Sequence, residues 1–121
     1  MVTSNNGHSR PVQISVVVPI YNEEDNIELM YGELSAALDE LNRPYEVVAV
    51  DDGSRDKSFE RLRAIRERDT RWQVIKFRRN FGQTAAMAAG FAASRGEWVI
   101  TIDADLQNDP RDIGKLLDKA E

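Results

Sequence analysis

Apolar and polar positions follow two different patterns along the chain. Four short runs are nearly continuous in apolar residues, and most are rich in β-branched side chains, which is typical of strands buried on both faces. These runs cover residues 14–18, 45–50, 72–77 and 98–102. The sequence therefore predicts four strands.

Between these runs, apolar residues recur at helical spacing. In segment 23–41 they stand at i, i+3, i+4 and i+7, beginning with Ile27, and Asn22 is the predicted N-cap. Segments 56–69 and 83–94 and a segment starting at Asp109 predict three further helices. The order βαβαβαβα predicts an α/β fold with three α/β/α layers and a mainly parallel sheet.

Composition limits the chemistry that the chain can perform. Its 121 residues, 41% hydrophobic and 31% charged, suit one compact domain. There is no cysteine and one histidine, His8, which excludes a thiolate nucleophile, a disulfide scaffold and multi-histidine metal sites. Any metal must then be a hard cation with oxygen ligands. The net charge of −5 argues against nucleic-acid binding driven by overall charge.

The N-terminal stretch is polar, and no apolar run is long enough to cross a bilayer. We expect residues 1–12 to form a flexible arm and residues 13–121 to form the folded part.

Polar, turn-prone clusters follow each predicted strand. Ligands of parallel sheets bind at the carboxyl ends of the strands, so these clusters converge on one site. Taken singly, each has a simpler explanation as a turn, a helix cap or a solvated pair. Four of them in order are harder to explain by chance. The clusters occupy residues 19–24, 51–54, 78–83 and 103–107.

The last two clusters carry the clearest chemistry. Asp103 and Asp105 are hard oxygen ligands that suit Mg²⁺ or Mn²⁺ bridging a diphosphate, and Gln107 adds a neutral oxygen. Arg78 and Arg79 are able to neutralise phosphate charge. The combination indicates a phosphate-bearing ligand together with a divalent cation.

The four clusters lie in motifs that resemble a known family. The segments VVVPIYNEEDNI, VVAVDDGSRDKS, RRNFGQTAAMAAGF and ITIDADLQNDP closely resemble family 2 glycosyltransferases, which have the GT-A nucleotide-sugar fold. The motifs DADLQNDP and RNFGQTAA are similar to the polyprenyl-phosphate branch, which includes dolichol-phosphate mannosyltransferase and bacterial undecaprenyl-phosphate glycosyl- and aminoarabinosyl-transferases. The match runs from about Ile14 to the C-terminus. It implies the strand order 3-2-1-4, counting the four predicted strands.

The resemblance also implies roles for individual residues. Two sets follow, one for the nucleotide sugar and one for the metal. The nucleotide-sugar set is Pro19, Tyr21, Asn22, Glu23, Asp51, Asp52, Asp103 and Ala104, in which Asp51 supports the turn and Asp103 and Ala104 lie by the ribose and diphosphate. The metal set, for Mg²⁺ or Mn²⁺, is Asp105, Gln107 and Asp103.

The implied reaction is inverting transfer of a sugar from a UDP- or GDP-sugar to a polyprenyl phosphate. The acceptor phosphate is already an anionic nucleophile, so no general base is assigned. The family's catalytic domain is considerably longer, and its second half carries the acceptor site. We therefore expect this chain to be the donor half, able to bind donor but not to complete turnover. The resemblance places the full-length protein in the cytoplasm or at the cytoplasmic face of the membrane.

Two alternatives remain open: a non-catalytic nucleotide-sugar-binding module, and a family 2 enzyme with a different acceptor. A phospho-receiver domain needs an aspartate after the third strand, where Phe77 and Arg78 stand. A dinucleotide-binding domain needs a glycine-rich turn after the first strand, which is missing.

One physical consequence follows from the expected strand order. It leaves the strand at 98–102 as an exposed, apolar edge without charge or proline, which predicts self-association.

Overall fold

The computed structural model describes residues 2–4, 11–105, 107 and 109–121. Within these residues the chain forms five strands and four α-helices, the last preceded by a 3₁₀ turn at Pro110–Asp112. The strands are β1 (Val2–Ser4), β2 (Ile14–Ile20), β3 (Tyr45–Asp51), β4 (Trp72–Lys76) and β5 (Trp98–Thr101). The helices are α1 (Ile27–Glu40), α2 (Ser58–Arg68), α3 (Gln83–Ala93) and α4 (Ile113–Ala120).

The strands form a single sheet in the order β1-β5-β2-β3-β4. Strands β2 to β5 run parallel to one another, and β1 pairs with β5 in the antiparallel direction. The parallel part reads β4-β3-β2-β5, which is the predicted order 3-2-1-4. The predicted α/β class is therefore confirmed.

Helices cover both faces of the sheet because the strand residues are apolar on both sides. One face of β2, including Val16 and Val18, packs with buried residues of α1, α2 and α4. The other face, including Val17, packs with Val48 of β3 and Ala86 of α3. The three predicted layers are thus present. None of the helices in the described residues is long and apolar enough to cross a bilayer.

Helix α3 lies unusually close to the sheet. A Cβ atom added to Gly90 would be 2.3 Å from Cγ1 of Val17, closer than real side chains approach. Ala86, one turn earlier, is fully buried. Small residues on this side of α3 therefore allow direct contact between the helix backbone and β2.

The N-terminal strand corrects the expectation of an open edge at residues 98–102. Val2, Thr3 and Ser4 pair with Ile100, Val99 and Trp98, so β5 has a neighbour on both sides. An unpaired strand edge offers backbone donors and acceptors, and the nearby chain terminus supplies their partners. Residues 2–4 of the expected flexible arm are therefore a strand. Among the described residues, β4 has no strand beyond it and forms the opposite edge of the sheet.

The boundaries of two elements also differ from the sequence prediction. Strand β2 continues through Pro19. The nitrogen of Pro19 faces the β5 side of the strand, but β5 ends at Thr101, opposite Val17. Pro19 therefore leaves no hydrogen bond of the sheet unmade. Asn22 is not an N-cap. Its φ of 53° is left-handed, and α1 begins only at Ile27, after a turn closed by the bond from Asn26 N to Glu23 O.

Candidate functional site

A cavity of about 720 Å³ opens at the carboxyl edge of the parallel strands. Loops that follow all four parallel strands contribute to its lining. This is the position at which parallel sheets bind ligands, because side chains at the ends of neighbouring strands converge there. The lining residues are Pro19, Ile20, Tyr21, Glu23, Asp52, Asn80, Gly82, Gln83, Asp103, Ala104, Asp105 and Gln107.

Most of the residues implied by the motifs meet in this cavity. Asn22 and Asp51 are the exceptions and do not line it. Four further residues line the cavity, although the sequence assigns none of them an individual role: Ile20, Asn80, Gly82 and Gln83. The sequence signal for the last three was their place in the polar cluster after the third predicted strand. That signal locates a loop but does not show which of its side chains face a ligand.

The segment after β2 is braced by the loop after β3. The backbone N–H of Asn22 donates to Oγ of Ser54 at 2.9 Å, and Oδ1 of Asn22 accepts from Arg55 N at 2.8 Å. The N–H of Glu23 donates to Oγ of Ser58 at 2.8 Å. Asn22 therefore holds two loops together while its neighbours Tyr21 and Glu23 line the cavity. Tyr21 keeps 43% of its surface exposed at the cavity.

The adjacent residues Asp51 and Asp52 have different environments. Asp51, the last residue of β3, is fully buried; its Oδ1 accepts from Ser54 N at 3.3 Å, and its Oδ2 has no partner among the described residues. Burial raises the pKa of the Asp51 carboxyl, although the hydrogen bonds from Ser54 and the charge of Lys76 oppose this shift. Asp51 is thus part of the support beneath the cavity.

The Asp52 carboxylate is occupied by the loop that joins β4 to α3. Oδ1 accepts from Phe81 N at 2.8 Å, while Oδ2 accepts from Gly82 N at 3.1 Å and from Nδ2 of Asn80 at 3.0 Å. A carboxylate has about four acceptor positions, so these donors use most of its capacity. Asp52 is only 4% exposed. Its main contacts within the chain are therefore with this loop.

Gly53 brings the same two loops into backbone contact. Its φ of 71° is left-handed, and a Cβ there would lie 2.2 Å from the carbonyl carbon of Arg79. Only glycine fits both the conformation and the space. Together with the Asp52 hydrogen bonds, this contact fixes Asn80 and the start of α3 at Gln83 against the cavity.

The segment after β5 presents two carboxylates to the cavity. Asp103 is partly buried and Asp105 is exposed, while the methyl group of Ala104 between them packs into the core. Oδ1 of Asp105 accepts from Gln107 N at 3.3 Å, which curls the segment back on itself. Two carboxylates and an amide at one rim suit Mg²⁺ or Mn²⁺, which commonly take one or two protein carboxylates and complete their coordination with substrate phosphates and water.

These residues do not make a complete metal cage by themselves. No group of three or more histidine, cysteine, aspartate or glutamate side chains within the described ranges is arranged to hold a metal ion. The donor set fits a cation whose remaining ligands come from a bound diphosphate.

The two arginines of the third cluster are exposed and directly precede Asn80, which lines the cavity. The guanidinium of Arg79 stacks over the ring of Phe81 at 4.1 Å, and Phe81 meets Phe77 edge to face at 5.6 Å. Neither Arg78 nor Arg79 is among the lining residues of the cavity.

The geometry can be compared with known proteins. The family model for glycosyl transferase family 2 matches residues 15–121. The chain belongs to glycosyl transferase family 2. This membership confirms the family that the four motifs resemble.

Curated relatives are similar over nearly the whole chain. It is 51% identical over 108 residues to an undecaprenyl-phosphate 4-deoxy-4-formamido-L-arabinose transferase of Pseudomonas aeruginosa, covering 88% of this chain and 32% of that protein. The transferase of the same name from Edwardsiella ictaluri is 44% identical over 109 residues, with 89% and 34% covered. The chain therefore spans about a third of the length of these relatives.

Solved structures of similar fold have been determined with nucleotides. The mannosyltransferase PcManGT of Pyrobaculum calidifontis, in complex with GDP-Man and Mn²⁺, superposes with a TM-score of 0.69 at 25% identity, covering 91% of this chain and 32% of that one. TarS 1-349 of S. aureus, in complex with UDP, gives a TM-score of 0.65 at 27% identity, with 89% and 32% covered. These likenesses confirm the GT-A type of fold.

Proposed function

We propose that this chain is the donor-binding part of a metal-dependent, inverting glycosyltransferase. The enzyme would transfer a sugar from a UDP- or GDP-sugar to a polyprenyl phosphate. The observation that carries the proposal is the convergence of Tyr21, Glu23, Asp103 and Asp105 on one cavity at the carboxyl edge of the sheet. The relatives named as undecaprenyl-phosphate sugar transferases support the choice of acceptor.

The nucleoside end of the donor would lie against the first loop. The half-exposed ring of Tyr21 offers a face for stacking on a base, and the Glu23 carboxylate offers an acceptor for base or ribose donors. The Glu23 side chain is oriented by a bond from Nδ2 of Asn26 at 2.7 Å. In this proposal Asp52 lines the pocket beside the nucleoside, while Asn22 and Asp51 support the surrounding loops from outside it.

The diphosphate end would lie at Asp103 and Asp105. These carboxylates, with the Gln107 side chain, would hold Mg²⁺ or Mn²⁺, which neutralises charge on a leaving nucleoside diphosphate. The chain positions the two carboxylates, because Ala104 between them is buried in the core and fixes the backbone there. The neighbour solved with GDP-Man and Mn²⁺ supports a divalent cation.

The chemistry fits the residues available. An oxygen of the acceptor phosphate attacks the anomeric carbon, the bond from that carbon to the nucleoside diphosphate breaks, and the leaving group takes the bonding electron pair. No proton has to be removed from the acceptor, since it attacks as an anion.

A second candidate is a module that binds a nucleotide sugar without transferring it. The observation in its favour is that the chain spans about a third of its relatives' length. Supplying the remaining domain of a relative as a separate chain, with donor and polyprenyl phosphate, separates the two. Transfer of sugar favours the enzyme, and donor binding without transfer favours the module.

Calorimetric titration with UDP and GDP, with and without Mn²⁺, tests the donor site. We expect binding of one nucleotide that depends on Mn²⁺ and is lost in Asp105→Ala. The matched control is Asp118→Ala, which removes an exposed carboxylate on α4 away from the cavity. A folded chain that binds neither nucleotide would contradict the proposal, as would equal loss in both variants.

A further inference from the structure

The basic residues are concentrated in one segment of the chain. Ten of its 16 lysine and arginine residues lie between residues 55 and 79, together with four of its 21 aspartate and glutamate residues. The whole chain carries a net charge of −5, so this segment is a basic region on an acidic protein. It consists of α2, β4 and their flanking loops.

Helix α2 has arginines on two sides, and one side is neutralised. Arg61 and Arg68 pair with Glu24 and Glu28, with closest N–O distances of 4.0 and 2.8 Å. Glu28 belongs to α1 and Glu24 to the turn before it. These two arginines therefore join α2 to α1 and to the turn before α1.

On the other side of α2, the arginines form no ion pair within the described ranges. Arg63 and Arg66 follow Phe59 at i+4 and i+7 and so lie on its side of the helix. No carboxylate within the described ranges lies within 4.0 Å of either guanidinium. Nζ of Lys76 lies 4.5 Å from the ring centre of Phe59, which joins the end of β4 to this side.

This surface continues to the rim of the cavity. We call Arg63, Arg66, Lys76, Arg78 and Arg79 the basic stripe. All five are exposed, and β4, which carries Lys76, is an edge strand of the sheet.

At the rim, the stripe ends beside an aromatic ring. Arg79 stacks on Phe81, whose surface is 50% exposed, and Asn80 and Gly82 on either side of Phe81 line the cavity. The stripe thus runs from α2 to the mouth of the candidate donor site.

We propose that the basic stripe docks the protein on an anionic lipid bilayer, with the cavity mouth beside the headgroups. The inference rests on the proposed function, because the apolar chain of a polyprenyl phosphate is anchored in a bilayer. Each lysine or arginine near an anionic membrane strengthens binding about fivefold. An exposed aromatic ring beside these cations suits the boundary between headgroups and acyl chains.

A nucleic acid fits this surface less well. The chain outside residues 55–79 holds 17 of its 21 acidic residues, and these would repel an extended polyanion that reaches beyond the stripe. A bilayer can instead contact one side of the protein while the acidic remainder faces water.

Co-sedimentation of the full chain with vesicles tests the proposal. One set of vesicles is pure phosphatidylcholine, and the other is equal parts phosphatidylcholine and phosphatidylglycerol. The variant is Arg63→Gln/Arg66→Gln. The control, Lys115→Gln/Lys119→Gln, removes the same charge from exposed positions on α4.

We expect the wild type and the control to bind the anionic vesicles, and the α2 variant to bind them at least about tenfold more weakly. Added salt should weaken binding, and neutral vesicles should not bind any of the proteins. Equal binding by the two double variants overturns the proposal, as does equal binding to neutral and anionic vesicles. Binding of RNA through the same arginines, without affinity for vesicles, also overturns it.

Titration with UDP and GDP separates this proposal from the proposed function. Arg63 and Arg66 lie off the cavity, so their variant should bind nucleotide as the wild type does. A wild-type chain that binds nucleotide but not vesicles supports the donor site and contradicts the docking proposal. Vesicle binding by a chain that binds no nucleotide contradicts the proposed function alone.

Discussion

The carboxylate of Asp52 accepts a hydrogen bond of 2.8 Å from the backbone amide of Phe81, which lies 29 residues further along the chain. The same carboxylate holds Gly82 and Asn80. The second aspartate of the Asp-Asp pair therefore has a structural role, since it fixes the loop before α3 at the edge of the cavity. The resemblance to the family also places Asp52 in the nucleotide-sugar set, and Asp52 lines the cavity. The two roles lead to different measurements.

We expect Asp52→Asn to destabilise the protein without any ligand present. Asparagine has one acceptor oxygen, and its amide group would face the N–H groups that the carboxylate now binds. The free energy of unfolding should fall by roughly 1.5–3 kcal/mol, the range for hydrogen bonds to a charged group. Urea denaturation measures this change, with Asp118→Asn as the exposed control. Unchanged stability together with weakened nucleotide binding would instead favour the nucleoside contact.

The neighbouring Gly53 offers an independent test of the same loop contact. Gly53→Ala would place a methyl group 2.2 Å from the Arg79 carbonyl carbon in a left-handed conformation. Backbone must then move, and we expect the free energy of unfolding to fall by more than about 2 kcal/mol. The control is Gly32→Ala in α1, where a Cβ would meet nothing within 4 Å. That substitution should stabilise the protein by roughly 0.5–1 kcal/mol. Equal effects at the two positions would contradict the close contact at Gly53.

The sequence predicts the parallel sheet and the location of the site well, for a physical reason. Buried parallel strands need continuous apolar runs, and polar residues directly after them must gather at one edge. Pro19, Glu23 and Asp105 therefore meet in the cavity although 86 residues separate the first from the last.

Other features depend on contacts that no periodicity reveals. Strand β1 is only three residues long, too short to show alternation. The left-handed conformation of Asn22 depends on Ser54 and Arg55, which are distant in sequence. The same holds for Asp52, whose partners become visible only when β3 and β4 are side by side.

The buried Asp51 predicts an unusual dependence of stability on pH. Burial raises its pKa from the ordinary 3.8, so the folded protein binds more protons than the unfolded chain between the two pKa values. The stability that Asp51 contributes is full below pH 3.8 and is lost as the pH rises through the raised value. Asp51→Asn should therefore gain stability relative to the wild type as the pH rises across this window, measured by urea denaturation at a series of pH values.

Asp69 provides the opposite case in the same protein. Hydrogen bonds from Arg71 lower the pKa of Asp69, and the Tyr31 hydroxyl donates to it at 2.9 Å. Its contribution to stability is therefore present above pH 3.8 and lost as the pH falls through the lowered value. Asp69→Asn should be least stable relative to the wild type at neutral pH, with the difference shrinking in acid. If the stability of the Asp51 and Asp69 variants relative to the wild type changed with pH in the same direction, the opposite pKa shifts of the two carboxyls would be ruled out.

The contact between Gly90 and Val17 predicts coupling between α3 and the central strand. Gly90→Ala should lower the free energy of unfolding by about 1–3 kcal/mol, because its methyl group would lie 2.3 Å from Cγ1 of Val17. Val17→Ala alone should also destabilise, through the loss of buried methyl groups. The double variant makes room for the new methyl group, so its loss should be smaller than the sum of the single losses by at least about 1 kcal/mol. Additive losses would show that α3 does not rest on Val17, and the cavity wall built on α3 would then need another support.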